Sequence, residues 1–268
     1  MPKFFSKLFL LLIFICISAL AGQKESKEIV LKILTYNIYH GATMKGDFDL
    51  DLIANVIQEK NPDLVALQEV DYKTNRAHKM DLALELAERT DMIPLFGRAM
   101  FYDDGEYGEA ILSKYTFQET INHSLPYTEG KEPRAALQAI IELPSGDEIS
   151  FIGTHLDHTR DQKNRTMQSK EINKIFSKDD RPAILAGDLN AIPGSKTINI
   201  LKKQWVPVFK QNIPTYPSDK PVKKLDYIMF KPAKNWQIVS KAVIKEKVAS
   251  DHFAVYAELK LVGNGSGE

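Results

Sequence analysis

The sequence predicts an α/β protein in which helices lie on the outside of β-sheets that pack against each other. Three observations carry this. Strand-like runs outnumber amphipathic helical stretches by roughly two to one, the proportion expected of helices layered on packed sheets. The 268 residues are 44% hydrophobic and 26% charged, an ordinary globular composition with enough apolar residues for a large core. No internal repeat, low-complexity tract or long Gly/Ser linker divides the chain, so one domain of about 245 residues accounts for it.

The elements follow in order. The run "IVLKILTYNIYH" is β-branched and aromatic and reads as a first strand ending near Asn37. Next, "DFDLDLIANVIQEKNPD" places Leu52, Ile53, Val56 and Ile57 on one helical face, with aspartates at its start and Asn61-Pro62 at its end. Strand "DLVALQEV" follows almost without a linker, and then helix "MDLALELAERTD". Strands are predicted at "GEAILSKYTF", "AALQAIIEL" and "EISFIGTHL", the last two joined by the turn "PSGD". Helix "NRTMQSKEINKIFSK" leads into strand "PAILAGDLN", and "KLDYIMF" and "HFAVYAELKL" are the late strands.

The N-terminal 21 residues differ in kind. Lys3 and Lys7 precede the fourteen-residue apolar run "LFLLLIFICISALA", which closes on Ala19-Leu20-Ala21. That is the tripartite pattern of a secretory signal, shorter than the ~20 residues a spanning helix needs. The expectation is export to the periplasm or beyond, with residues 1–21 a cleaved signal, 22–30 a polar lead-in, 31–261 the domain and 262–268 a flexible tail. Bulky Phe14 and Ile15 ahead of Cys16 argue against lipid anchoring. Cys16 is the sole cysteine, so disulfides, thiol catalysis and cysteine metal sites are excluded from the mature chain. Any metal must bind through oxygen or histidine.

Acidic and basic residues balance at 35 each. No broad basic field marks a general polyanion binder. Nothing in the sequence calls for an obligate protein partner, and a monomer is expected.

Several strands end alike, an apolar run stopping on a polar side chain: Asn37 in "LTYN", Glu69 in "ALQE", His155 and Asp157 in "GTHLDH", Asp188 and Asn190 in "AGDLN", Asp226 in "KLDY", and Asp251 and His252 in "SDH". Any one of these is an ordinary turn former. Six such ends in one chain are harder to explain as turns, and gathered on one edge they make a polar site above an apolar core.

In order along the chain, "TYNI", "LQEV", "GEAILS", "THLDH", "AGDLNA", "LDYI" and "SDHFAV" resemble the endonuclease/exonuclease/phosphatase superfamily, which includes deoxyribonuclease I-like enzymes, from about Leu31 to Leu261. The resemblance implies a four-layered α/β sandwich, two mostly antiparallel sheets face to face with helices outside, and divalent-metal-dependent hydrolysis of phosphoesters. It implies Glu69 as the main metal ligand, with Asn37 and Asp251 beside it. Mg²⁺ is the expected ion, with Mn²⁺ or Ca²⁺ as alternatives, since hard cations take oxygen ligands and keep waters.

By the same resemblance, Asp188 orients or deprotonates the attacking water and Asn190 steadies the transition state. Strand alternation is expected to put these two on one face. His252 touches the phosphate, held by Asp226, and His155 stands opposite. Glu109 is expected to pair with His155, and Arg134 to contact phosphate, the alternative for the arginine being a surface salt bridge. His158 and His40 are candidate pocket residues; His78 and His123 read as ordinary surface histidines.

The substrate is less legible. "QEVDYK" lacks the Gln-Glu-Thr-Lys pattern of abasic-site endonucleases, and the stretch after it resembles a bacterial hydrolase subgroup. A small-molecule or lipid phosphoester is the leading expectation. An extracellular nuclease is the alternative, with Lys73, Arg76, Lys79 and Arg134 as basic rim candidates, and a non-catalytic ligand-binding member of the fold is a third.

Overall fold

The computed structural model describes residues 29–262. The expected signal segment, most of the lead-in and the tail from 263 onward lie outside the described residues. Twelve strands form two six-stranded sheets. The strands are β1 (Ile29–Asn37), β2 (Leu64–Tyr72), β3 (Ile93–Tyr102), β4 (Gly105–Ser113), β5 (Phe117–Leu125), β6 (Arg134–Glu142), β7 (Glu148–His155), β8 (Ala183–Asp188), β9 (Val206–Pro207), β10 (Asp226–Lys231), β11 (Trp236–Ile244) and β12 (Ala254–Leu261). The helices are α1 (Leu50–Lys60), α2 (Leu82–Thr90), α3 (Lys163–Phe176) and α4 (Lys196–Leu201).

The sheet orders are β11-β12-β1-β2-β4-β3 and β5-β6-β7-β8-β10-β9. Each is antiparallel except for one central parallel pair, β1 with β2 in the first and β7 with β8 in the second. Alternation along each strand divides the apolar residues between two faces. In β1, Leu31 and Ile33 point between the sheets, whereas Leu34 and Tyr36 point toward α1 and α2. In the second sheet, Phe151, Ile184 and Ile228 fill the inter-sheet core, and Ile152, Leu185 and Met229 meet α3 and α4. The result is four layers, α/β/β/α, each buried aliphatic side chain contributing about 1.5–3 kcal/mol.

The helices start where chain chemistry starts them. Asp49 accepts from the amides of Asp51 and Leu52 at the head of α1, and Asp81 accepts from Leu84 N–H at the head of α2. Asn61 and Asp91 end them in the left-handed conformation. Ser195 caps the short α4, which the Pro193-Gly194 break concealed in the sequence.

Two expectations need correction. "GEAILSKYTF" is not one strand: it breaks at 114–116, where β4 leaves the first sheet and β5 enters the second. In addition, β3, β5, β9 and β11 were not legible as strands, and these four are the edges of the two sheets. Edge strands are half solvated and lack the continuous apolar run that marks a central strand. The eight strands nearer the centre carry the readable pattern and also the polar ends described next.

Candidate active site

Topology brings the polar ends together. The parallel pairs place the C-terminal ends of β1, β2, β7 and β8 on one edge, and antiparallel pairing brings the beginnings of β6, β10 and β12 to the same edge. Asp226 lies directly opposite Asp188, and His155 is registered beside it. These ends surround a cavity of about 410 Å³, whose walls include Glu69, Arg134, His155, Asp188, Asp251 and His252.

Local backbone devices aim the side chains. Glu69 sits at a bulge between β2 and β4 with φ +57°, a left-handed conformation costly for a residue with a Cβ. The bulge turns its carboxylate to the cavity. Gly187 precedes Asp188 at φ +157°, where a Cβ would lie 1.9 Å from Thr154 O; only glycine lets β7 and β8 approach so closely there. Asn190 has φ +47°, and its backbone N–H donates to Asp188 Oδ1 at 2.8 Å. Strand alternation therefore does not place Asn190. The strand ends at Asp188, whose side chain closes a turn that swings Asn190 into the site.

Asp188 is the hub. Its Oδ2 accepts from Asn37 Nδ2 at 3.3 Å and faces His155 Nε2 at 3.5 Å and His252 Nε2 at 3.7 Å. Burial, together with the charge of Asp226, pushes the Asp188 carboxyl upward from the usual range. His252 Nδ1 is hydrogen-bonded to Asp226 Oδ2 at 3.0 Å, and Tyr216 packs on its ring with centroids 4.7 Å apart. Burial opposes charge on His252, but Asp226, Asp188 and Asp251 outweigh it and raise the imidazole to about 10.

His155 is set differently. Arg134 Nη1 lies 3.0 Å from its Nδ1, and a guanidinium can only donate, so Nδ1 accepts and the ring proton resides on Nε2. Burial and the Arg134 charge hold this imidazole well below its ordinary value, hence neutral. Asn190 Nδ2, fixed as a donor by Leu156 O at 3.0 Å, lies 2.9 Å from that Nε2. Placed so, the two N–H groups meet each other donor to donor, too close for an acceptor to sit between them.

The arginine corrects the expectation for Glu109. The Glu109 carboxyl does not pair with His155, because Arg134 and the Tyr107 hydroxyl, 3.4 Å away, occupy the Nδ1 side. Both Glu109 oxygens are fully buried without a side-chain partner, near the backbone amides of Glu109 and His155, and Glu109 does not line the cavity. Burial raises its pKa to about 8, partly opposed by Arg134. Arg134 is itself buried; its Nη2 bonds Glu132 Oε2 at 2.6 Å and meets His158 Nδ1 at 3.2 Å. It is not a surface salt bridge. His158 lines the cavity, half of its side chain exposed.

Among the expected metal-side residues, Glu69 accepts from Asn37 Nδ2 at 3.1 Å and lies 3.5 Å from His40 Nδ1. Burial raises its pKa, but contact with His40 and Asn37 and the neighbouring imidazoles more than offset it, leaving the carboxyl well below its usual range. Asn37 presents its nitrogen to Glu69 and Asp188, while its Oδ1 accepts from Tyr39 N–H. As placed it links the two carboxylates, and it would ligate a cation only with the amide turned over. Asp251 faces the cavity, its pKa raised by burial and by the like charges of Glu69 and Asp226. Among the described residues, Asp188, Asp226 and His252 also bring donor atoms within 4.8 Å of one another. Carboxylates crowded into one cavity, with oxygen donors predominating, fit a hard divalent cation.

Other residues fall differently. Asp157 is not part of the cavity: it accepts from Thr159 N–H and Asn164 Nδ2 and shapes the loop after β7. His123 is not a plain surface residue, since its Nε2 meets Gln138 Oε1 at 2.8 Å and its ring lies edge-on to Phe176. His78 is exposed. Sequence reading missed Ser250, whose hydroxyl bonds Asn37 O at 2.7 Å and accepts from His252 N–H, whereas Tyr107 and Tyr216, which line the cavity, belong to the stretches "RAMFYDDGEYGE" and "PTYPS", candidates from sequence for rim aromatics.

Residues 34–252 match the family model of the Endonuclease/Exonuclease/phosphatase family. The uncharacterized protein YbhP of Escherichia coli K12 is 26% identical over 255 residues, covering 88% of this chain and 99% of that protein. Among solved structures, an endonuclease/exonuclease/phosphatase from Beutenbergia cavernae superposes with a TM-score of 0.73 at 21% identity, covering 89% of this chain and 73% of the other. A mannosyl-6-phosphatase from Bacteroides thetaiotaomicron gives 0.68 at 19% identity, covering 85% and 99%.

Proposed function

Since the chain belongs to the endonuclease/exonuclease/phosphatase family, a family of hydrolytic phosphoesterases, we propose that it is an exported, Mg²⁺-dependent phosphoesterase acting on a small-molecule or lipid phosphoester. The observation that carries this is the meeting of His155, Asn190, Asp188 and His252 in one cavity, with buried Arg134 beside His155. His252, kept cationic by Asp226, offsets charge on the equatorial oxygens of the transition state. Asp188, raised in pKa and open to the cavity, orients the attacking water and takes its proton. Glu69, with Asp251 nearby, would hold a divalent cation, which would supply charge neutralisation at the phosphate.

The rim supports a compact substrate over a long polyanion. Arg76 is bonded to Asp71 Oδ2 at 2.6 Å, Lys79 is paired with Asp104 at 2.8 Å, and Lys73 lies over the Tyr72 ring outside the cavity. Of the four basic rim candidates, only Arg76 and Arg134 face the cavity, and both have acidic partners. A nucleic-acid track needs unpaired cations along a groove, and this cavity adds a single one, exposed Lys223, among the described residues. Phosphatase activity on a sugar phosphate, as the Bacteroides protein's name states for that enzyme, is consistent with a cavity of this size.

The test is hydrolysis by the protein from Gly22 onward, with Mg²⁺ and with EDTA. Substrates are sugar phosphates, sphingomyelin vesicles, bis-p-nitrophenyl phosphate, RNA and plasmid DNA, with Asp188→Ala and His252→Ala alongside. Metal-dependent turnover of a small or lipid phosphoester, lost in both variants, is expected. Preferential turnover of plasmid DNA would replace this reading with the nuclease, and Mg²⁺ binding without turnover of any substrate would favour the binding-only alternative.

A further inference from the structure

A second cavity, of about 360 Å³, lies between α4, β9 and β10 and shares no lining residue with the first. Its walls are largely apolar, with Ile198, Trp205, Val206, Phe209 and Tyr227 among them. Three lysines, Lys202, Lys210 and Lys224, line it and no carboxylate does. Lys202 and Lys210 are exposed, whereas Lys224 is only 3% exposed.

Lys224 Nζ donates to Phe209 O at 2.9 Å and Gln211 O at 3.1 Å, and it lies over the Phe209 and Tyr227 rings. Two carbonyls leave one of its three donors unused. Among the described residues no carboxylate reaches it, and the nearby Lys241 adds a like charge. Burial, and then Lys241, lower its pKa to about 8. A buried ammonium is costly without a counter-charge.

We propose that this cavity binds a small amphiphile with an anionic head, the head at Lys224 and the apolar body against Trp205 and Phe209. The volume falls in the range of small-ligand sites, and the pattern of an apolar wall with one fixed polar anchor is what such sites use. Lys202 and Lys210 add positive charge at the mouth and favour entry of an anion.

Decanoate, titrated into the purified protein by calorimetry and by tryptophan fluorescence, tests this. Decanol carries the same chain without the charge. Saturable binding of one decanoate per chain is expected, at least tenfold tighter than decanol, weakened at least tenfold in Lys224→Met and severalfold in the double variant Lys202→Met/Lys210→Met. His252→Ala, in the other cavity, should bind decanoate as the wild type does, which keeps the result independent of the proposed hydrolysis. Circular dichroism checks the fold of Lys224→Met; if that variant does not fold, the double variant decides. Absence of binding, equal affinity for decanol, or unchanged affinity in folded lysine variants would overturn the proposal, as would binding lost in His252→Ala.

Discussion

Arg134 Nη1 stands 3.0 Å from His155 Nδ1, and this contact fixes the tautomer of the histidine, because the guanidinium has no lone pair to offer. Arg134→Met should free Nδ1, let the His155 pKa rise toward its ordinary value, and reduce turnover by roughly 10- to 100-fold through the lost orientation of the ring. Nitrogen NMR of the ring is the check. A ring protonated at Nδ1 in the wild type would refute the assignment.

His252 is governed by carboxylates. Its folded pKa, about 10, is raised above the unfolded value, so the stability it contributes is complete below about pH 6.5 and is lost as pH rises through about 10. Asp226→Asn lowers the folded value. The alkaline limb of the pH–rate profile should move to lower pH, with kcat down roughly 10²-fold. A profile that keeps its alkaline limb in Asp226→Asn would show that His252 does not depend on this partner.

Glu109 is linked in the same direction over a lower pH range. Its folded pKa of about 8 lies above the unfolded 4.5, so the folded state holds the proton longer and stability falls as pH rises between those values. Glu109→Gln removes the ionisation at nearly constant shape. The variant should gain melting temperature relative to the wild type at pH 8 and much less at pH 4.5. Equal differences at both pH values would count against a buried neutral acid.

Gly187→Ala sets a Cβ 1.9 Å from Thr154 O, between two parallel strands that cannot separate without moving Asp188. Overpacking of this kind costs roughly 1–3 kcal/mol or more. Urea denaturation should show the loss together with reduced activity in the remaining folded protein; wild-type stability would mean that the strands part more easily than their register implies.

Glu69→Gln keeps the hydrogen bond from Asn37 within reach and deletes the charge. Affinity for Mn²⁺, followed by its paramagnetic signal, should fall at least tenfold, whereas exposed His78, outside the cavity, should be replaceable by Ala without effect on it. Unchanged Mn²⁺ affinity in Glu69→Gln would move the ion toward Asp188, Asp226 and His252, the other donor cluster.

Much of the site was legible because its residues end central strands. Apolar runs identify such strands, and the polar residue that stops each run marks the sheet edge, as Asn37, His155 and Asp188 do. What escaped were partners fixed by strand pairing. Arg134 on β6 lies 21 residues from His155 in the chain and meets it because β6 pairs with β7, and Glu109, on the other sheet, was assigned the place that Arg134 holds. Nothing local distinguishes these two candidates, since both are charged residues within largely apolar strands, Arg134 at the start of β6 and Glu109 midway along β4.

By itself the sequence determined the periodicity of the central strands and long helices, the polar residues that terminate them, and the order of motifs that resembles the family, because each of these is encoded within a few consecutive residues. The tertiary structure decided which strands became edges, which of two charged side chains faced His155, how Asn190 entered through a left-handed turn, and that Lys224 lies buried without a carboxylate. Those outcomes depend on sheet register and on burial, which set distances and electrostatic environment between residues far apart in the chain.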